Sequence, residues 1–163
     1  SPRVKRLAED FSQAGIPCEA GSDLARIRWE KLVWNIPFNG LCALTDLPTD
    51  LLLACPETRQ LIGELMQEVI TAANLQGLSA PIEAEDCIER LLQVTAGMGA
   101  YRPSMMIDRQ QFSPLELAAI YGIPLQRAAN ASVPMPRVAM LHALLEATEP
   151  KQPAASESTV IVQ

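Results

Sequence analysis

The stretch from Asp23 to Leu44 constrains this chain more than any other. Its residues favour a helix, and Asp23 is placed to cap one running through Lys31 toward Leu44. Pro37 stands inside that span. It removes a hydrogen bond and clashes with the preceding turn, so a kink is expected near Val33–Asn39, with backbone groups freed close to Asn35 and Asn39. Leu32, Val33, Trp34, Ile36 and Phe38 are apolar. Lys31, Asn35 and Asn39 recur at steps of four, and each step turns the helix direction by only about 40°, so all three point roughly the same way. One cation and two neutral amides would then form a polar strip along one side of an otherwise apolar helix, a plausible hold for a small oxygen-rich molecule.

The rest of the chain also reads as helices. Residues 3–14 form a short amphipathic segment with Val4, Leu7, Ala8 and Phe11 on one face, and Gly15 ends it. Ile16–Ala20 reads as a short extended piece that Pro17 restricts to an edge strand. One helix and one strand cannot make a domain, so residues 1–23 are expected to be the trailing βα elements of something upstream. Pro48 and Thr49 open a short helix over 50–54. Pro56 begins a long one that buries Ile62, Met66, Val69, Ile70 and Ala73, with Gly77 near its end. Pro81 starts the next, with Glu83, Glu85 and Asp86 in its first turn and Ile88, Leu91, Leu92 and Thr95 on the packing side. Gly97-Met98-Gly99 breaks it. Ser113-Pro114-Leu115-Glu116 has the pattern of a capping box opening a helix that stops at Gly122. Another turn or two follows over Pro124–Ala129. Val133–Pro136 reads as an extended connector, and Val138, Leu141, Leu144 and Leu145 mark a final helix. Beyond Pro150 the composition predicts a mobile tail, 150–163.

Composition supports this reading. The chain has 163 residues, enough for one domain with a substantial core, and aromatic residues make up only 4% of it. Leu, Ala, Met and Ile favour helices over sheets. The net charge of −6 argues against a nucleic-acid or anionic-membrane surface. No apolar run approaches the roughly 20 residues that span a bilayer. The four cysteines, Cys18, Cys42, Cys55 and Cys87, are widely spaced, and His142 is the single histidine. That set does not suggest a metal site. It fits buried free thiols in a reducing cytoplasm.

Three groups are candidates for chemistry, and each has a plainer reading. The Lys31–Asn35–Asn39 strip is either a solvated helix face or the lining of a cleft. Ser104, after Pro103 and a Gly-rich break, either offers its hydroxyl and backbone N–H to an anion or simply caps a helix. Glu116 occupies the position where a capping box wants a glutamate, which favours a structural role. His142, Met105 and Met106 read as packing residues.

Taken together, Trp29-x-Lys31-x-x-x-Asn35-x-x-x-Asn39, then Ser104-Met105-x-x-Asp108, then Glu116 and Gly122, resemble the C-terminal domain of the ketopantoate reductase (2-dehydropantoate 2-reductase) family. The step of twelve from Ser104 to Glu116 and the Val133-Pro134 connector before a Leu-rich helix fit as well. The resemblance covers about residues 24–147. It implies an all-α domain of the 6-phosphogluconate dehydrogenase C-terminal-like type, residues 24–149, of about seven or eight helices, preceded by an α/β remnant of a Rossmann domain at 1–23.

The resemblance also implies roles. In this family NADPH delivers a hydride to the ketone carbon of a 2-keto acid. Lys31 would protonate the developing alkoxide, and a partly desolvated site would tune it for that task. Asn35 and Asn39 would hold the substrate's hydroxyl and carboxylate oxygens, and Ser104 its carboxylate. Glu116 would contact the cofactor and could pair with Lys31. The family often carries asparagine at the positions of Thr49 and Tyr101, so the preferred keto acid is open. No G-x-G-x-x-G follows a strand, so the cofactor's main platform is expected on a separate Rossmann domain. The expected function is thus the catalytic half of a cytoplasmic NADPH-dependent reductase in pantothenate synthesis, working with its own Rossmann domain, forming a homodimer, and inactive when isolated. The alternative is a helical dimerisation or interaction module without a catalytic role.

Overall fold

A computed structural model describes residues 2–16, 18, 21 and 23–149 of the chain. Among them the fold is all-α: α1 (Pro2–Gln13), α2 (Leu24–Thr45), α3 (Thr49–Ala54), α4 (Pro56–Asn74), α5 (Ala84–Ala96), α6 (Ser104–Gln110), a π-helical turn (Ala118–Gly122), α7 (Ile123–Asn130) and α8 (Pro136–Ala147). Of the expected edge strand, Ile16 and Cys18 have no regular structure and Pro17, Glu19 and Ala20 lie outside the described residues, as does the expected tail.

Helix α2 is the hub, packing against α4, α6, α8 and the π-turn. The Asp23 carboxylate accepts the N–H of Arg26 at 2.9 Å and caps it, while Asp46 closes it in the left-handed conformation (φ 57°). It runs unbroken through Pro37. The second half, Ile36 to Ala43, is buried on every side, as expected of a helix that is apolar all round. The first half keeps an exposed face that includes Lys31.

Such enclosure demands close backbone approach. A Cβ on Gly40 would overlap the hydroxyl of Tyr121 and Cδ2 of Leu141, so only glycine lets the π-turn and α8 close on α2 here. Tyr121 is fully buried, donates its hydroxyl to the Ile36 carbonyl at 2.8 Å, and stacks on His142 with ring centroids 5.7 Å apart. Met105 and Met106 fill the core.

Several short helices are capped from outside. Glu68 of α4 accepts the backbone N–H groups of Arg137 and Val138, both at 3.1 Å, and pairs with the Arg137 guanidinium, so α8 starts against α4. Asn74 exchanges two hydrogen bonds with the Ile82 backbone, fixing the connection ahead of α5. That helix begins at Ala84, with Glu83 at the cap, rather than at Pro81.

The region after Ser113 departs most from the sequence expectation. No capping box forms. Pro114, Leu115 and Glu116 are non-helical, and the Leu115 N–H is taken by Glu149 at 3.0 Å. The helix starts at Leu117 and does not stop at Gly122. It passes through the π-turn directly into α7, and the Ile123 N–H reaches back five residues to the Ala118 carbonyl. Pro124 has no N–H to give, so the wider turn accommodates the break in the ladder. The thiols also differ from expectation: all four cysteines are free, but Cys18 and Cys55 are exposed. Cys42 is buried, and burial pushes its thiol up to about 12, which keeps it protonated.

Candidate functional site

The polar strip on α2 passes from surface to core. Lys31 is exposed, Asn35 is half-buried, and Asn39 is 3% exposed. The helix period aligned the three side chains, and the burial of α2's second half separates their environments.

Lys31 and Asn35 line one groove of about 520 Å³ between the first half of α2 and the wall made by the π-turn and α7. Glu116, Ile120, Ile123 and Pro124 come from that second wall, and Trp29 and Leu32 supply apolar surface beside the lysine. The groove therefore brings together a cation, a neutral amide and a carboxylate from distant parts of the chain, against largely apolar walls. Glu116 is exposed, and its carbonyl accepts the N–H of Ile120 at 3.0 Å as the helix begins. The Glu116 side chain is thus presented at a helix start without capping it.

Asn39 and Ser104 are not among the groove's lining residues. They meet each other beyond its inner end. Asn39 Oδ1 accepts the backbone N–H of Met105 at 3.1 Å and lies 3.5 Å from Ser104 Oγ, so it serves as the missing cap of α6. The residue before that helix is Pro103, whose side chain makes no cap bond. Ser104 is the first helical residue, not the cap. Its side chain is exposed.

Thr49 and Tyr101 flank this region differently. Thr49 is fully buried, donates its hydroxyl to the Gly99 carbonyl at 3.2 Å, and gives its N–H to the Tyr101 carbonyl at 3.0 Å. Its polar groups are spent on the Gly99–Tyr101 loop. The Tyr101 ring is exposed and meets Trp34 edge-on at 6.1 Å, and Trp34 in turn donates to Thr95 at 2.9 Å. His142 is packed on Tyr121 and lies 3.2 Å from Glu146 on its own helix.

Two charged groove residues were not singled out from the sequence, Arg28 and Arg127. Arg28 could have been: it precedes Lys31 by three on α2 and so shares its face. Arg127 had no local signal, because the π-turn determines where α7 points. No described helix is long and apolar enough to cross a membrane.

Comparison with known proteins gives a consistent result. The family model described as "Ketopantoate reductase PanE/ApbA C terminal" matches residues 23–149. A 2-dehydropantoate 2-reductase from Nostoc sp. is 41% identical over 140 residues, covering 86% of this chain and 43% of that protein. The crystal structure of 2-dehydropantoate 2-reductase from Geobacter metallireducens superposes with a TM-score of 0.87 at 50% identity, over 90% of this chain and 48% of that one. A ketopantoate reductase from Staphylococcus aureus, described as dimeric, shares the fold at a TM-score of 0.74 and 23% identity, over 88% of this chain and 50% of that one. The chain thus spans about half the length of the relatives it matches.

Proposed function

Since this chain belongs to the ketopantoate reductase family, as its C-terminal domain, we propose that it is the substrate-binding, catalytic-lysine half of an NADPH-dependent 2-keto acid reductase, with 2-dehydropantoate as the substrate and pantoate as the product. The observation that carries this reading is the groove that gathers Lys31, Asn35 and Glu116.

The residues suit the chemistry. Bound NADPH would supply the hydride to the ketone carbon. The Lys31 ammonium stabilises the alkoxide oxygen as charge develops and gives it a proton. Asn35, one helical turn deeper, holds a neighbouring substrate oxygen without adding charge. Asn39 spends its Oδ1 on α6. In this reading its amide N–H donors and the Ser104 hydroxyl serve the substrate's hydroxyl and carboxylate from beyond the groove's inner end. Glu116 offers two acceptor oxygens to ribose hydroxyls beside the apolar Ile120 and Ile123, a combination that fits the sugar end of a nicotinamide cofactor.

Lys31 is exposed in this domain. Its desolvation therefore has to come from whatever closes over the groove. We assign that part to the upstream Rossmann domain, of which residues 1–23 would be the trailing elements. In this reading the active enzyme works in the cytoplasm and needs both domains for turnover.

The test is Lys31→Ala in the two-domain protein. Removing the proton donor should lower kcat by roughly 10²–10⁴-fold with the fold intact. Unchanged turnover would favour the second reading, a helical interaction module. One observation supports an associating surface: Met140 and Leu144 are 56% and 43% exposed on the last helix, and Val4, Leu7 and Phe11 are exposed on the first. A homodimer built on such faces is compatible with catalysis as well.

A further inference from the structure

The groove carries more positive charge than the proposed chemistry uses. Lys31 alone serves the carbonyl, yet Arg28 and Arg127 also line the groove, with Glu116 the one carboxylate among its lining residues. Three cations against one carboxylate leave a formal excess of two positive charges, in a chain whose net charge is −6. Neither guanidinium forms an ion pair among the described residues, whereas Arg26 and Arg137 are paired with Glu30 and with Glu64 and Glu68. Both arginines are exposed, and the walls beside them, Trp29, Leu32, Ile120, Ile123 and Pro124, are apolar.

We propose that Arg28 and Arg127 form a second anion-binding subsite in this groove, outside the Lys31–Asn35 position, taking an anionic oxygen group of the ligand whose reacting end lies at Lys31. Arg28 sits three residues before Lys31 on the same helix face, so its level is about 4.5 Å toward the start of α2. Arg127 comes from the opposite wall. Two planar forks approaching from two walls suit a group with several oxygens, and guanidinium binds such groups in paired fashion.

Two ligands offer that chemistry. A ribose held by Glu116 would put the cofactor's diphosphate one sugar away. A 2-keto acid with a second carboxylate would place that carboxylate a few bonds from the ketone. The inference rests on the reductase reading for the direction in which the ligand lies, but its test needs no turnover.

The test is calorimetric titration of the 163-residue chain with inorganic pyrophosphate, 2-oxoglutarate and pyruvate. Saturable millimolar or tighter binding of one of the first two is expected. It should weaken roughly tenfold in Arg28→Ala and in Arg127→Ala. It should be unchanged in Arg59→Ala, an arginine on the separate α4–α5 depression. Preference for pyrophosphate assigns the subsite to the cofactor. Preference for 2-oxoglutarate over pyruvate assigns it to a dicarboxylate substrate. Absence of saturable binding, or equal weakening in Arg59→Ala, overturns the proposal. Because the titration reads binding alone, its failure leaves the Lys31→Ala assay standing, and failure of that assay leaves a measured anion site standing.

Discussion

Asn39 Oδ1 lies 3.1 Å from the backbone nitrogen of Met105, and through that contact the central helix caps a shorter one packed against it. Asn39 is 3% exposed, so water cannot replace the bond. Asn39→Ala should therefore cost about 1–3 kcal/mol of stability, combining a lost cap with an unsatisfied N–H. Urea denaturation should show a lower midpoint with an unchanged slope. Asn39→Asp keeps the acceptor and should lose less than alanine at acidic pH, where the new carboxyl is neutral. Equal stability of Asn39→Ala and wild type would remove the capping role.

Gly40 and Tyr121 form the second tight junction. Gly40→Ala should destabilise the domain by about 1–3 kcal/mol, because the added methyl meets the tyrosine hydroxyl and Leu141 in a filled core. Tyr121→Phe removes the hydroxyl, and with it the hydrogen bond to Ile36. The double variant should be more stable than the sum of the two losses predicts, since one clash disappears with the hydroxyl. Strict additivity in a double-mutant cycle would show that Leu141 alone sets the cost.

Asp23 gives the fold an acid-sensitive joint. Its carboxylate accepts the N–H of Arg26 and, at 2.7 Å, the N–H of Ser79, tying the start of α2 to the loop after α4. Those backbone bonds lower its pKa from 3.8 to about 2. A depressed folded-state pKa means the carboxylate stabilises the fold above 3.8, and that this contribution fades as pH falls toward about 2. Thermal melts of wild type and Asp23→Ala should differ by a constant amount near neutrality and converge between those two values. A gap that persists at the acid end would place the effect elsewhere.

The sequence made much of this fold legible because its signals are local. Pro56 begins a helix where the backbone needs no donor, and the apolar spacing of Ile62, Met66, Val69 and Ile70 marks the face that is buried. Pro136 reads as the end of an extended connector, but it is the first residue of α8. The caps from Asn39 and Glu68 were not legible, because each comes from a different helix and leaves no mark beside the segment it caps. Ser113–Glu116 misleads for a related reason: its pattern is local, but Glu149, far along the chain, takes the Leu115 N–H. On the site, helix period alone aligned Lys31 with Asn35. It could not place Glu116 opposite them, which followed from the family resemblance, and it gave no sign that Asn39 would be buried while Lys31 stayed exposed.

That exposure bears on whether the 163-residue chain can work by itself. An ammonium in open water gains little from protonating an alkoxide, since solvent competes for both groups and screens the charge. Hydride transfer also needs the nicotinamide held within about 3–3.5 Å of the ketone carbon, and a groove whose lining has Glu116 as its one carboxylate offers too few anchors to fix that geometry. The isolated chain should therefore oxidise NADPH with ketopantoate no faster than the buffer blank, and Lys31→Ala should leave that rate unchanged. In the two-domain protein the same substitution should separate sharply from wild type. A rate for the isolated chain that depends on Lys31 would mean that this domain alone assembles a working site, and would remove the need for a partner domain over the groove.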